Sequence, residues 1–164
     1  MTWLFRAIRA LSLTLWIGGI AFFAFVVAVV AFRDLPSAHL AGIVVRGSLT
    51  QLHRIGMIAA IAYLAATMAL IATSRDSHVV RAVEILLAVA MLIATVYSQF
   101  SLIPRMEEDR LAAGGDISTT AADSPAHLRF DRLHKRSEHV EGFILLGGLM
   151  LVLMAPLHQR ERLG

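Results

Sequence analysis

"GFILLGGLMLVLMAPL", residues 142–157, is an unbroken apolar run of sixteen residues. A helix rises about 1.5 Å per residue and the hydrocarbon layer of a bilayer is about 30 Å thick, so about twenty residues are needed to cross it. The run is about one turn short. A crossing helix must therefore begin earlier, inside "LRFDRLHKRSEHVEGF" (128–143), and draw Glu141, Val140 and Ser137 to the membrane boundary. Three further apolar runs, at 10–32, 55–73 and 85–103, meet the length requirement nearly unaided. Lipid offers backbone N–H and C=O groups no partners, which leaves helices as the economical structure for all four. The sequence predicts an all-α fold: an integral membrane four-helix bundle, with helices at about 7–32, 40–73, 79–104 and 130–157, a helical extension before helix two and a long loop between helices three and four. Residues 1–164 read as a single transmembrane domain of the cell membrane, crossing it several times.

Composition points the same way. Of 164 residues 57% are hydrophobic and 16% charged, with a mean hydropathy of +0.70, against about 25% charged in soluble domains. A domain this small keeps too much surface exposed to hide that apolar content in water. The sequence pI of 10.2 is no nucleic-acid signature, because the net charge is only +3 and the arginines flank apolar segments instead of forming a stripe. The expected partner is the lipid bilayer, together with a homo-oligomer or a partner membrane subunit, and no nucleic acid. Cysteine is absent, which removes disulfides, thiolate metal sites and cysteine nucleophiles. The amino-terminal run continues to Phe32, longer than the roughly 7–15 residues of a signal-peptide core.

Antiparallel helices sort the connections onto two faces. The amino terminus, the 74–84 hairpin and the carboxyl terminus share one, face A. The 33–54 and 104–139 connections share the other, face B. Lysine plus arginine numbers six on face A and nine on face B, which favours face B as cytoplasmic, whereas Arg6 and Arg9 ahead of the first helix argue the reverse. On face A only Glu84, His78 and His158 approach the boundary, and Glu84 reads as an edge residue or a partner of Arg81. In the 33–54 connection, Ser37 after Pro36 is placed to cap helix two.

Face B is different. At about 100° per residue, Phe130, His134, Ser137, Glu141 and Gly148 form one stripe. Helix two brings His53, and helix three brings Gln99, Arg105 and Glu107. Ionisable groups at such depth face protein, pair with one another or line a wet cavity. The expected binding cluster is therefore His53, Gln99, Arg105, Glu107, His134, Ser137 and Glu141, with Arg105 paired to Glu107 or Glu141. His53 and His134 are the candidate metal ligands, for copper or haem b, since imidazole suits both. In helix one, Trp16 falls near mid-membrane, and Gly18 and Gly19 allow a neighbouring helix or a flat ligand to approach. Ala62, Ala66, Ala69 and Ala72 read as a packing face of helix two. No phosphate loop or dinucleotide motif is present, so the chain reads as a non-enzymatic membrane protein: a small-solute or metal tolerance, transport or assembly protein, a haem- or copper-binding protein, or a structural subunit of a complex.

"LWIGGIAFFAFVVAVVAFRDL", "AGIVVRGSLTQLHRIG", "IPRMEEDR" and "FDRLHKRSEHVEG", in this order and spacing, resemble the transmembrane protein 205-like family of small four-span proteins. The matching positions are Trp16, Gly18, Gly19, Phe32, Gly42, His53, Pro104, Arg105, Phe130, His134 and Ser137. Val29 departs from the pattern, which has a proline after the small residue at Ala28. The resemblance implies a four-span architecture and no settled activity. A more distant similarity, to copper-resistance protein D-like and four-span haem-binding proteins, implies the metal or tetrapyrrole readings, by analogy of fold alone.

Overall fold

The structure, a computed structural model, describes residues 2–73 and 78–155. The tip of the 74–84 hairpin, His158 and the last residues of the fourth apolar run lie outside the described residues. Four helices are long and apolar enough to cross a membrane. They are α1 (Thr2–Asp34), α2 (Ala38–Thr73), α3, which runs through His78–Tyr97, a π-helical turn Ser98–Leu102 and Ile103–Ala112, and α4 (Pro125–Met154). α1 carries a π turn of its own at Phe23–Val27.

Local chemistry sets the ends. Leu35 precedes a proline, a position disfavoured in helix, and adopts an extended conformation that stops α1. Ser37 Oγ then accepts the Leu40 N–H (3.2 Å), capping α2 as expected. α3 closes on Gly114 and Gly115, whose φ values of 81° and 97° suit residues without a Cβ. Ser124 caps α4 by accepting the His127 N–H (3.3 Å), and Pro125 fills the first turn, where its missing N–H costs nothing.

Each helix runs beyond its apolar run. Most of the 104–137 link is therefore helical, and the non-α connection is short, with one 3₁₀ turn at Ile117–Thr119. These charged extensions hold together by ion pairs: Arg129 Nε donates to Asp109 Oδ1 at 2.8 Å, joining α4 to α3.

α1 packs most extensively on α2, and α3 on α4, with α2–α3 and α1–α4 contacts completing the bundle. The core is built from Leu13, Trp16, Ile17, Ile20, Ala59, Ala60, Tyr63, Ala88, Met91, Ile144 and Leu151. Glycines make the close crossings. A methyl added at Gly56 would stand 2.9 Å from Trp16 Cδ1, one at Gly147 would stand 3.0 Å from Met91 Sδ, and one at Gly148 would overlap Ile17. Gly19 meets Leu52 across the α1–α2 crossing, but Gly18 is exposed with open space at its Cβ, so the expected packing pair is one glycine. The alanine face of α2 is likewise rotated: Ala66 is buried and Ala72 exposed, and Ala59, Ala60, Tyr63 and Leu70 face the core. Large apolar side chains on the outer faces, among them Phe25, Ile58, Leu86, Ile93, Leu146 and Leu153, are exposed, as a lipid-facing surface requires.

Candidate functional site

At the face B end, His53 joins three helices. Its side chain is 1% exposed. Nδ1 lies 3.2 Å from Gln99 Oε1 and Nε2 lies 2.9 Å from Glu141 Oε1. An amide oxygen only accepts, so the Gln99 contact places a hydrogen on Nδ1. One proton then remains to bridge Nε2 and Oε1: either an imidazolium donates to a carboxylate, or a carboxyl O–H donates to the ring. The arrangement is a proton-sharing pair held at the edge of the core. Ser98 Oγ donates to the same Glu141 Oε1 at 2.8 Å. Glu141 Oε2 is buried and has no hydrogen-bond partner among the described residues. The Glu141 side chain as a whole retains 15% exposure.

The π turn in α3 explains why Ser98 and Gln99 both point inward. Pro104 has no N–H to return to the carbonyl of Phe100, and its ring crowds that carbonyl. The helix accommodates this by widening over Ser98–Leu102. Both residues are buried in consequence. The π turn in α1, Phe23–Val27, lies beside the same site.

Glu141 forms part of the wall of a cavity of about 700 Å³ that extends from this pair to the face B loops. Its inner part is apolar, with Ile20, Phe23, Ala24, Leu49, Ile103 and Leu145. Its mouth is charged. Arg46 Nη1 approaches Glu107 Oε2 at 2.6 Å and Arg110 Nη2 donates to Glu107 Oε1 at 2.6 Å, so one carboxylate binds two guanidiniums. His39 Nδ1 stands 3.6 Å from Asp116 Oδ1. The Ser118 hydroxyl and amide donate to Asp116 and, helped by His39 and Arg110, hold its carboxyl below the usual aspartate range.

The expected cluster is thus divided. His53, Gln99 and Glu141 touch, while Glu107, His134 and Ser137 line the adjoining cavity. Arg105 is exposed and outside the lining. The anticipated Arg105 pairs with Glu107 or Glu141 are replaced by Arg46 and Arg110 on Glu107 and by His53 and Ser98 on Glu141. Arg105 and Glu107 stand two residues apart on one helix and so point to different sides of it, and the π turn ahead of them rotates both by roughly a quarter turn. Arg105 then leaves the face of Ser98, Arg110 moves onto it, and Glu107 comes round beside it. His134 stacks on Phe130 at 6.0 Å and pairs with Glu138 at 3.3 Å. With both nitrogens of His53 engaged and His134 held on other partners, the two histidines do not fit the haem or copper ligand set. No group of three or more His, Cys, Asp or Glu side chains suited to a metal ion occurs among the described residues.

Sequence reading missed a second cluster, at the face A end. Glu84 is fully buried, not an edge residue. Arg9 Nη2 donates to both of its carboxylate oxygens at 3.0 Å and to the Tyr63 hydroxyl at 3.1 Å, with the guanidinium 5.1 Å from the Tyr63 ring centre. The available signal was Arg9 within the opening turns of an apolar helix and Tyr63 amid the alanines of α2.

With this geometry in place, the comparison with protein families is direct. Residues 11–113, well over half of the chain, match the family described as "Domain of unknown function (DUF4149)". The chain belongs to this family. The DUF4149 match takes in α1 from residue 11 onward and all of α2 and α3, hence His53, Ser98 and Gln99, and ends before α4 contributes Glu141. No curated protein and no solved structure matches the chain. This DUF4149 chain is a multi-pass membrane protein by its four apolar helices.

Proposed function

We propose that the protein binds a small solute in the face B cavity and serves in tolerance to, or transport of, that solute. One observation carries the reading: a cavity of about 700 Å³ with the proton-sharing His53–Glu141 pair beside it. A space of this size, apolar within and carrying a few convergent polar groups, has the anatomy of a small-molecule site. A buried ion pair without a ligand to serve is a weak source of stability. The resemblance to the transmembrane protein 205-like family bears on the four-span architecture and adds neither an activity nor a ligand to this reading.

Gly42 lines the cavity and has open space at its Cβ, so Gly42→Phe places a ring in the lumen. Native mass spectrometry of the protein released gently from detergent is expected to show a small molecule retained by the wild type and lost in Gly42→Phe. If folded wild-type protein, extracted from its own membrane, carries and accepts no small molecule, and Gly42→Phe behaves identically, the reading falls.

A further inference from the structure

We infer that the solute taken by the face B cavity is a lipophilic amine: an apolar body bearing one protonated nitrogen that donates to Glu141. The inference rests on the binding role proposed above and names its ligand class. Among the described lining residues, four carboxylates (Glu107, Asp116, Glu138 and Glu141) stand against the guanidiniums of Arg46 and Arg110. Both guanidiniums are spent on the one Glu107 carboxylate, which leaves neither for an anionic ligand. An anion entering the apolar part would meet Glu141 with no countercharge of its own, and burying such a charge unpaired is costly.

Glu141 itself supplies the attractive element. Its Oε1 takes His53 and Ser98, while Oε2 has no partner among the described residues and is covered by protein atoms, so a donor in the cavity that Glu141 lines reaches it by a turn of the carboxylate. An orphan acceptor of this kind favours a ligand that brings a donor, and a charged donor most of all. The rings of Phe23, Phe32 and Phe130 line the same space, and aromatic faces attract organic cations. An aminophospholipid headgroup also offers an ammonium, but its phosphate would need the guanidiniums that Glu107 already holds. The source is therefore a small amine.

The test uses three probes with one body: 3,3-diphenylpropylamine, 3,3-diphenylpropan-1-ol and 3,3-diphenylpropanoate. Each is titrated at pH 7 against full-length protein in phosphatidylcholine nanodiscs, with empty nanodiscs as the partition control. The amine is expected to bind about tenfold more tightly than the alcohol, with no saturable binding of the carboxylate. Glu141→Gln is expected to remove that advantage and leave the alcohol unchanged, with unfolding temperature as the folding control. If Glu141→Gln does not fold, the wild-type ranking of the three probes decides alone. Equal or tighter binding of the alcohol or carboxylate, abolished by Gly42→Phe, overturns the amine and leaves the binding site standing. No saturable binding of any probe overturns the amine here and removes support from the site. Loss of amine binding when phosphatidylethanolamine is included in the nanodisc shows that a lipid is the occupant, and also overturns the proposal.

Discussion

His53 and Glu141 depend on each other. Removing one member of a buried hydrogen-bonded pair leaves the other desolvated and uncompensated, a loss of about 3–5 kcal/mol, whereas replacing both with apolar groups is often close to neutral. His53→Leu should therefore destabilise the bundle by about 3 kcal/mol, and the His53→Leu/Glu141→Leu double variant should recover most of that. Unfolding of the four proteins in mixed micelles measures the coupling, and additive losses would mean that the 2.9 Å contact contributes nothing. Arg9→Ala removes the guanidinium that donates to both carboxylate oxygens of the fully buried Glu84 and should also cost stability. At the mouth, Asp116 gives a pH dependence of definite sign. Its carboxyl is held below the ordinary value of 3.8 by Ser118, so its contribution is complete above that value and is lost as pH falls through the lowered one. The protection of the Ser118 amide relative to its intrinsic exchange rate, conferred by its bond to Asp116 (2.9 Å), should fall on acidification through this range, and Asp116→Asn should flatten the response. At this scale the stripe Phe130, His134, Ser137 and Glu141 was legible, because α4 is regular across it and a period of 3.6 is all the reading needs. The exposure of Arg105 and the Arg9–Glu84 pair were not, because a sequence carries no record of which neighbouring helix faces a given residue.

Regularity is also what separates the readable elements from the others. Lengths and hydropathy identify all four helices, since a bilayer demands both at once. The π turn at Ser98–Leu102 changes the phase within one of them, and every inference drawn across it inherits the error. Pro104→Ala restores the missing N–H and removes the steric cause. It is expected to let α3 relax toward an ordinary α-helix, to rotate Ser98 and Gln99 away from Glu141 and His53, and to weaken ligand binding more than it weakens folding. Equal losses in both would show that the turn has another origin. The crossings respond differently. A side chain at Gly148 must displace Ile17, and overpacking of this kind costs about 1–3 kcal/mol. Gly148→Val should show that loss, while Gly18→Ala, with open space around its Cβ, should be neutral or stabilising by up to about 1 kcal/mol through helix propensity. Thermal unfolding of the two variants side by side checks both. Position 18 is instructive because adjacent glycines look alike in a sequence, yet their directions differ by about 100°, and only Gly19 points at α2.

Taken whole, the bundle has two polar ends on an apolar middle. His53, Gln99, Ser98 and Glu141 close one end, and Arg9, Tyr63 and Glu84 close the other. Between them lie Trp16, Ala60, Ala88, Met91 and Ile144, all buried. On α2, ten residues separate His53 from Tyr63, about 15 Å of helix, so the clusters stand at different depths, each towards its own end of the bundle. This assignment requires the 33–54 and 104–139 connections to emerge together, with the amino terminus across the bilayer from them. The absence of cysteine makes the requirement measurable without removing any native thiol. Asp34→Cys, Asp123→Cys and Thr2→Cys each introduce a lone thiol at an exposed position. In sealed vesicles of uniform orientation, an impermeant maleimide should label Asp34→Cys and Asp123→Cys from one side and Thr2→Cys from the other. Which side carries the first pair also decides the orientation that the nine and six basic residues leave contested. Labelling of Asp34→Cys and Asp123→Cys from opposite sides would break the antiparallel order. It would also separate α2 from α4 and take His53 away from Glu141.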